Sequence, residues 1–341
     1  MAEIVAGVGM SHSSLIATDD PETWLSHAAI DRDNPYLRDR SGEPVTYAEL
    51  ERANGDRYAS CATVEHIAPQ VAQTHAAIER LRAAVASHAI DVLLVFGDDQ
   101  MELHDLANMP ALAVYYGPEF EMGTSLRFAS YEAELGGEVS SMMREYAMDK
   151  PHVFPGHEPL ARHLIASLLD AGFDVGAMNG VPEAEGIGVG HAFGIMERKL
   201  MQPPGSIPLV PIFVNTYWPP NQVPVSRCYD LGVAVRAAIE AFEPDLRVAV
   251  VASGGLSHFM TDEELDARVL DACREHDERA LRELPAHLLD GGNSEIRNWI
   301  AVAAACRDLP FSWCEYVPVY RTPVGTGIGL AFALWSADEA A

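Results

Sequence analysis

Three histidines in this chain stand directly after apolar or glycine-rich segments: His12 in Gly-Met-Ser-His, His191 after Gly-Ile-Gly-Val-Gly, and His258 in Gly-Gly-Leu-Ser-His. A polar cluster, Asp-Asp-Gln-Met-Glu at positions 98–102, follows another apolar segment. Imidazole and carboxylate groups suit a ferrous ion, and three protein ligands leave coordination positions open for substrate and O₂. Histidine also exchanges protons near neutral pH. The residue types therefore predict a mononuclear metal site with an acid/base group beside it.

The positions of these residues depend on alternating apolar and amphipathic segments. We predict strands over 4–8, 92–96, 111–115, 210–214 and 248–252, and helices over 66–88, 160–171, 231–242, 262–284 and 294–306. Strands that alternate with helices indicate an α/β fold: one domain with a mostly parallel central sheet covered by helices on both faces. In such sheets, ligands bind at the carboxyl ends of the strands.

Most of the polar residues fall at those strand ends. They are His12, the 98–102 cluster, Asn215 after the strand at 210–214, and Ser257 with His258, whereas His191 follows a separate glycine-rich run. A single histidine at a strand end is more often a packing residue, and an Asp-Asp pair is often a turn former. The glycine run before His191 lacks the spacing of a dinucleotide-binding loop. Because several separate strand ends carry such residues, a shared site is the better interpretation.

Composition narrows the classes of partner. The 341 residues are 48% hydrophobic, and the formal net charge is −27, so nucleic acid and anionic membrane are not expected as partners. The five cysteines form no CxxC pair, and the first ten residues resemble a strand rather than a signal peptide. We expect a cytoplasmic protein and, by default, a homo-oligomer, most often a dimer.

Several longer segments carry a family resemblance. GVGMSHSSLIA, VPIFVNTYWPPNQVPVSRCYDLGVAVRAAIE, VAVVASGGLSHFM, GHAFGIMERKL and GNSEIRNWIAVAAAC resemble the class III extradiol (LigB-type) ring-cleaving dioxygenases. The resemblance is greatest to the branch that includes the protocatechuate 4,5-dioxygenase beta chain and 3-O-methylgallate dioxygenase. It implies an Fe(II) enzyme that opens the ring of a catechol- or gallate-type substrate with O₂. The branch suggests methoxylated, lignin-derived rings.

The resemblance also implies a metal-ligand set. His12 matches the family's first ligand, and Glu264, with Glu263 as its neighbour, occupies the position of a ligand glutamate. The chain departs from the family pattern at Gln100, where the protocatechuate-type chains carry a ligand histidine. An amide oxygen is a poorer donor than imidazole to a divalent transition ion. We expect Gln100 in or next to the third ligand position, with Glu102 and His104 as the alternatives.

The remaining roles follow from the same resemblance. His191 matches the family's acid/base histidine, and His258 is a second candidate catalytic group. Asp99, Asn215 and Ser257 are expected to contact the substrate or support the ligands. Residues 20–65 form a long polar insertion, which we expect to be irregular over 20–60 apart from a helix beginning near Thr46. We expect it to act as a partial lid over the site, and a surface position away from the site is the alternative. Two other functions stay open: a metal-dependent hydrolase, and a metal-free binding or scaffold protein on the same fold.

Overall fold

A nine-stranded sheet forms the centre of the computed structural model, which describes residues 1–125 and 138–337. Its strands are β1 (Glu3–Met10), β2 (Val92–Gly97), β3 (Leu112–Tyr115), β6 (Gly176–Met178), β7 (Leu209–Val214), β8 (Arg247–Ser253), β9 (His258–Met260), β10 (Phe311–Tyr320) and β11 (Thr326–Trp335). Two short strands, β4 (Glu119–Glu121) and β5 (Val153–Pro155), pair separately.

The middle of the sheet is parallel. The order is β10-β11-β1-β8-β2-β7-β3-β6, with β9 paired to β11. Strands β1, β8, β2 and β7 run parallel to one another, whereas β3 is antiparallel to β7 and β11 is antiparallel to β1. The single-domain, mostly parallel α/β fold is confirmed. The β10–β11 hairpin at one edge is an addition that the sequence patterns do not predict.

Helices cover both faces of the sheet. They are α1 (Pro21–Ser26), α2 (Ala28–Asp33), α3 (Tyr47–Asn54), α4 (Val64–Ser87), α5 (Glu138–Glu145), α6 (Glu158–Asp170), α7 (His191–Leu200), α8 (Val225–Glu240), α9 (Glu263–Arg274), α10 (Glu278–Arg282) and α11 (Ile296–Ala305). One apolar core lies between the sheet and α6, α8, α9 and α11, and the other between the sheet and α4 and α7. None of the helices in the described ranges has the length and apolar character needed to cross a bilayer.

Alternate residues of the central strands serve the two cores. In β2, Val92, Leu94 and Phe96 join the first core, and Leu93 and Val95 join the second. This explains the uninterrupted apolar run, because a parallel strand buried on both faces has no side that tolerates polar residues. The polar residues that follow such a strand are therefore confined to its end.

The insertion at 20–65 is more regular than its composition indicates. We expected irregular chain over 20–60 with one helix beginning near Thr46, but the segment holds α1, α2 and α3. Thr46 does begin α3, and its hydroxyl accepts from the Glu49 N–H while the Glu49 carboxylate accepts from the Thr46 N–H. Such reciprocal caps stabilise helices of only two turns.

Helix α7 carries a buried carboxyl group that lacks a charged partner. The Glu197 side chain is fully buried, Oε2 accepts a hydrogen bond from the Gly205 N–H at 2.8 Å, and Oε1 has no partner among the described residues. Burial raises the pKa of Glu197 from 4.5 to about 8, and the Gly205 N–H offsets this only in part. The folded protein therefore holds this carboxyl protonated at neutral pH.

We predict that Glu197→Gln stabilises the protein, and more at pH 8 than at pH 5. Between pH 4.5 and about 8 the unfolded chain ionises Glu197 while the folded chain does not. The free energy of unfolding therefore falls as the pH rises through this range, by up to about 1.4 kcal/mol per pH unit from this group. Urea unfolding at both pH values measures the effect, with Glu51→Gln on an exposed face of α3 as control. Equal free energies of unfolding for Glu197→Gln and wild type at pH 8 would contradict it.

Candidate metal centre and active site

A cavity of about 110 Å³ opens at the carboxyl ends of β1 and β2. Its wall includes His12, Gln100, Glu102, His191, His258 and Glu295, together with His27, Ile30, Asp31 and Arg321. A cavity of roughly 150 Å³ holds a benzene ring in another protein, so this space is of the size of one aromatic ring. The cavity brings together residues from many segments that are far apart in sequence.

His12 directs its Nε2 atom to this cavity. Ser253 Oγ donates to the Ala192 carbonyl oxygen at 2.6 Å, so it accepts the hydrogen bond from His12 Nδ1 at 2.9 Å. Nδ1 therefore carries a proton, and in the neutral imidazole the lone pair lies on Nε2. The Tyr146 hydroxyl donates to the His12 carbonyl oxygen at 3.1 Å and fixes the loop. This arrangement is typical of a histidine prepared to bind a cation.

The carboxylate that faces His12 belongs to Glu295. Its Oε1 lies 3.3 Å from His12 Nε2, yet Nε2 is buried and makes no hydrogen bond among the described residues. Glu295 Oε2 accepts from the Gly255 N–H at 2.7 Å and lies 3.4 Å from His258 Nε2. Burial alone would raise the pKa of Glu295, but His258, His12 and the Gly255 N–H lower it to about 2. The ionised carboxylate and His12 Nε2 thus face each other at a distance that a cation between them could bridge.

The glycine loop after β8 makes room for Glu295. Gly254 adopts a φ of 144°, and a Cβ atom there would lie 2.8 Å from the Glu295 Cβ. Helix α11 fastens the same loop: Trp299 Nε1 donates to the Gly254 carbonyl oxygen at 2.8 Å, and Asn298 Nδ2 donates to the Ser253 carbonyl oxygen at 2.9 Å. Glu295 is the residue before α11, so the helix and the loop hold it from both sides.

A second buried carboxylate lies beneath the cavity. Asp98 directly follows β2, is 1% exposed, and has an Oδ1 without a hydrogen-bond partner in the described chain. Ligand atoms of His12, Asp98 and His191 all lie within 4.8 Å of one another. Burial and then the charge of Glu295 raise the pKa of Asp98. Gln100 Nε2 donates to Asp98 Oδ2 at 3.2 Å, so the amide holds this carboxylate in place.

His191 is paired with Glu102. Its Nδ1 hydrogen-bonds to Glu102 Oε1, while Glu102 Oε2 accepts from the Gln100 N–H at 3.0 Å. Burial would lower the pKa of His191, but the Glu102 carboxylate outweighs it and raises that pKa to about 9. The close contact requires Gly190, because a Cβ there would meet Glu102 Oε2 at 2.3 Å. The His191 ring centroid lies 4.7 Å from that of His12.

His258 occupies the opposite side of Glu295. Its Nδ1 donates to the Leu256 carbonyl oxygen at 2.9 Å, which leaves Nε2 facing the carboxylate. The next residue, Phe259, also lines the cavity and has a positive φ of 64°. A strained backbone of this kind persists where the surroundings over-determine it, often at functional sites. His12, His191 and His258 are thus brought to one cavity.

Three residues selected from the sequence support loops rather than line the cavity. Asp99 accepts hydrogen bonds from the backbone N–H groups of residues 102, 103 and 104. Asn215 accepts from the Trp218 N–H at 2.8 Å and donates to Asn221 at 2.9 Å. Ser257 binds Asp266 through its N–H and hydroxyl. Each side chain fixes a strand-end loop that presents a neighbouring group.

Glu264 does not lie with His12. It is exposed in the first turn of α9, where Asp262 caps the helix and Leu265 turns towards the core. The helical spacing places the side chains of Glu263 and Glu264 on the solvent-facing side of α9. The Tyr320 hydroxyl donates a hydrogen bond to the Glu263 carboxylate. The structure therefore brings Glu295, and not Glu264, to the position expected of the ligand glutamate.

The two alternatives for the third ligand are placed differently. Glu102 lines the cavity but is engaged by His191. The His104 ring packs at 84° against Phe213 and is not part of the cavity wall.

Sequence reasoning also missed Glu295, Asp98 and the pair Asp31–Arg321. The signal for Glu295 was present in GNSEIRNWIAVAAAC: an acidic residue immediately before an otherwise apolar helix. Asp98 belongs to the 98–102 cluster but was not among the ligands selected from the sequence. The insertion at 20–65 contributes His27, Ile30 and Asp31 to the cavity wall, so part of it lies at the site.

Comparison with known proteins gives the family. The family model described as the catalytic LigB subunit of aromatic ring-opening dioxygenase matches residues 64–311. The chain is 36% identical to a gallate dioxygenase of Pseudomonas putida over 126 residues, which is 34% of this chain and 35% of that protein.

Two similar proteins are 2,3-dihydroxyphenylpropionate/2,3-dihydroxicinnamic acid 1,2-dioxygenases. One, from Rhodococcus jostii, is 30% identical over 54% of this chain and 48% of its own length. The other, from Rhodococcus sp., is 29% identical over 71% of this chain and 68% of its own length. The chain thus matches about a third of the gallate dioxygenase and about half of the first of these two relatives. Because the family model spans more than half of the 341 residues, the chain belongs to the family of catalytic LigB subunits of aromatic ring-opening dioxygenases.

Proposed function

We propose that this protein is a ferrous extradiol dioxygenase that opens a catechol- or gallate-type ring with O₂. The observation that carries the proposal is the buried contact of His12 Nε2 with the Glu295 carboxylate, in which the two atoms lie 3.3 Å apart and Nε2 makes no hydrogen bond among the described residues. The names of the similar proteins, which act on gallate and on dihydroxyphenylpropionate, support an aromatic diol as substrate. When bound, a ferrous ion supplies a centre that holds both diol oxygens and O₂ side by side.

The ligands proposed for this ion are His12, Glu295 and Asp98: Glu295 lies 3.3 Å from His12 Nε2, and a ligand atom of Asp98 lies within 4.8 Å of one of His12. His12 offers an imidazole nitrogen, Glu295 an ionised carboxylate, and Asp98 a buried Oδ1 that has no hydrogen-bond partner among the described residues. Two carboxylates also offset the charge of a divalent cation in a site that excludes water. Gln100 then has a positioning role, since its amide nitrogen holds Asp98. This set replaces the one expected from the sequence, His12, Gln100 and Glu264.

The other groups handle protons. Glu102 holds His191 Nδ1, which leaves the far side of the imidazole for the second hydroxyl of the substrate. His258, fixed by the Leu256 carbonyl oxygen, contributes a second imidazole on the other side of Glu295. Part of the 20–65 insertion covers the cavity through α2 and the residues around it, which favours exclusion of water from the site.

Anaerobic loading with Fe(II), followed by a panel of catechols under air, tests the proposal. We expect O₂ uptake matched to substrate consumption and a yellow ring-opened product. Retention of zinc with hydrolytic activity would favour the hydrolase alternative, and failure to bind any divalent ion would favour the binding-protein alternative.

We predict that Glu295→Gln weakens divalent-metal affinity by at least about 10–100-fold, the loss that even supporting residues of metal sites commonly cause. The matched variant Glu264→Gln keeps wild-type affinity, because that side chain is exposed on α9. Isothermal titration of the metal-free proteins with Fe(II) or Mn(II) under nitrogen measures both. The reverse ranking would restore the assignment made from the sequence.

We predict that Asp98→Asn lowers metal affinity more than Gln100→Ala does, because Asp98 supplies the anionic oxygen and Gln100 only positions it. The same titrations measure the change, with the exposed Asp19→Asn as control. Gln100 would be the ligand if Gln100→Ala abolished binding and Asp98→Asn left it intact.

We predict that Glu102→Gln lowers the pKa of His191 from about 9, because the neutral amide no longer stabilises the imidazolium. NMR titration of the histidine resonances in metal-free protein measures this shift. His191→Ala should keep metal while turnover falls on the order of 10²–10⁴-fold. An unchanged His191 titration in Glu102→Gln, or loss of metal in His191→Ala, would contradict these roles.

A further inference from the structure

A buried ion pair between Arg321 and Asp31 forms part of the cavity wall. Arg321 and Asp31 have side chains that are 9% and 1% exposed. Arg321 Nε lies 3.0 Å from Asp31 Oδ2, and Nη2 lies 2.7 Å from Oδ1. Thr326 Oγ1 donates to Asp31 Oδ2 at 2.8 Å, and Thr322 is 2.7 Å from the Thr326 hydroxyl. The guanidinium is therefore fixed in one orientation.

The pair leaves one edge of the guanidinium available. Arginine carries five N–H donors, and Asp31 engages those on Nε and one on Nη2. No described residue accepts a hydrogen bond from Nη1. Since removing two charges from water is costly and a buried ion pair is weak evidence of stabilisation, packing alone is a poor explanation for the pair. A guanidinium edge is suited to bidentate binding of a carboxylate.

The hairpin places Arg321 close to the catalytic side of the cavity. Its N–H donates to the Thr326 carbonyl oxygen at 2.8 Å, and the next residues of β11, Gly327 and Ile328, also line the cavity. These two residues pair with Phe259 and His258 of β9. Strand β11 thus lies between Arg321 and His258, and both residues line the cavity.

The charges along the wall are separated. Glu102 and Glu295 lie on the proposed metal side. Among the described residues that line the cavity, Arg321 is the only lysine or arginine. Burial, and then the charge of Arg321, lower the pKa of His27, which also lines the cavity, to about 3. An anionic substituent is repelled by the two glutamates and attracted to this wall.

We propose that Arg321, braced by Asp31, binds an anionic substituent of the substrate, so that the enzyme prefers catechols that carry a carboxylate. This inference rests on the proposed function. With the diol oxygens beside His12 and Glu295, a ring that fills the cavity directs its substituent to the Arg321 side. Arg321 is then a specificity-determining residue of the site.

The test compares 3,4-dihydroxybenzoate with 3,4-dihydroxybenzyl alcohol, two substrates of similar size that differ in charge. Wild-type holoenzyme should favour the benzoate in kcat/KM. The double variant Asp31→Asn/Arg321→Gln keeps polar side chains at both positions without leaving a buried charge. The ratio of the two kcat/KM values should fall about 10–100-fold, mainly through KM for the benzoate, as expected for a lost hydrogen bond to a charged group.

A binding measurement separates this inference from the proposed function. The affinities of metal-free protein for benzoate and for benzyl alcohol can be measured by titration, without turnover. Wild type should bind benzoate more tightly than benzyl alcohol. Arg321→Lys, which keeps the charge but loses the planar fork, should retain an intermediate preference and serves if the double variant does not fold. If neither catechol is cleaved yet benzoate binding depends on Arg321, the dioxygenase proposal fails and this one stands. No preference in wild type, or the same preference in all variants, would overturn it.

Discussion

The site depends on the contact between His12 Nε2 and the Glu295 carboxylate. Both groups are buried, Nδ1 donates to Ser253, and Glu295 is ionised. Nε2 and the carboxylate lie 3.3 Å apart, and Nε2 makes no hydrogen bond among the described residues, so a cation between them would contact both. The surrounding structure holds this arrangement from several sides, which is typical of a site organised for a ligand.

The order of the strands makes that contact possible. β1 lies beside β8 in parallel register, so the loops that follow them, with His12 on one and the two glycines on the other, end at the same edge. Helix α11 packs beneath β8 and delivers Glu295 to the glycine loop through Trp299 and Asn298. The site is therefore fixed by regular elements on three sides, which limits the movement of its ligand atoms.

The cavity has two chemically different sides. Carboxylates and imidazoles gather where a metal and the acid/base groups are proposed, whereas a fixed guanidinium faces the space that a ring substituent would enter. The guanidinium is supplied by the antiparallel hairpin and its partner by the 20–65 insertion. Additions to the parallel core thus provide the features that would distinguish one substrate from another, while the core itself provides the chemistry.

The sequence alone determined much of this protein. Apolar runs buried on both faces predict the parallel strands, and the polar residues that follow them must gather at one edge, so His12, His191 and His258 were identified before any contact was known. The family resemblance rested on the same segments.

Only the tertiary structure decided which carboxylates join these histidines. Glu264 and Glu295 are both acidic residues next to helices, but the first lies on a solvent-facing turn and the second on a turn enclosed by a glycine loop. Arg321 and Asp31, 290 residues apart, meet only because the hairpin and the insertion cover the same cavity. The local sequence pattern predicts which residues of one helix or strand are buried. It does not predict which distant segment those residues contact, because that depends on the strand order and on the packing of the helices.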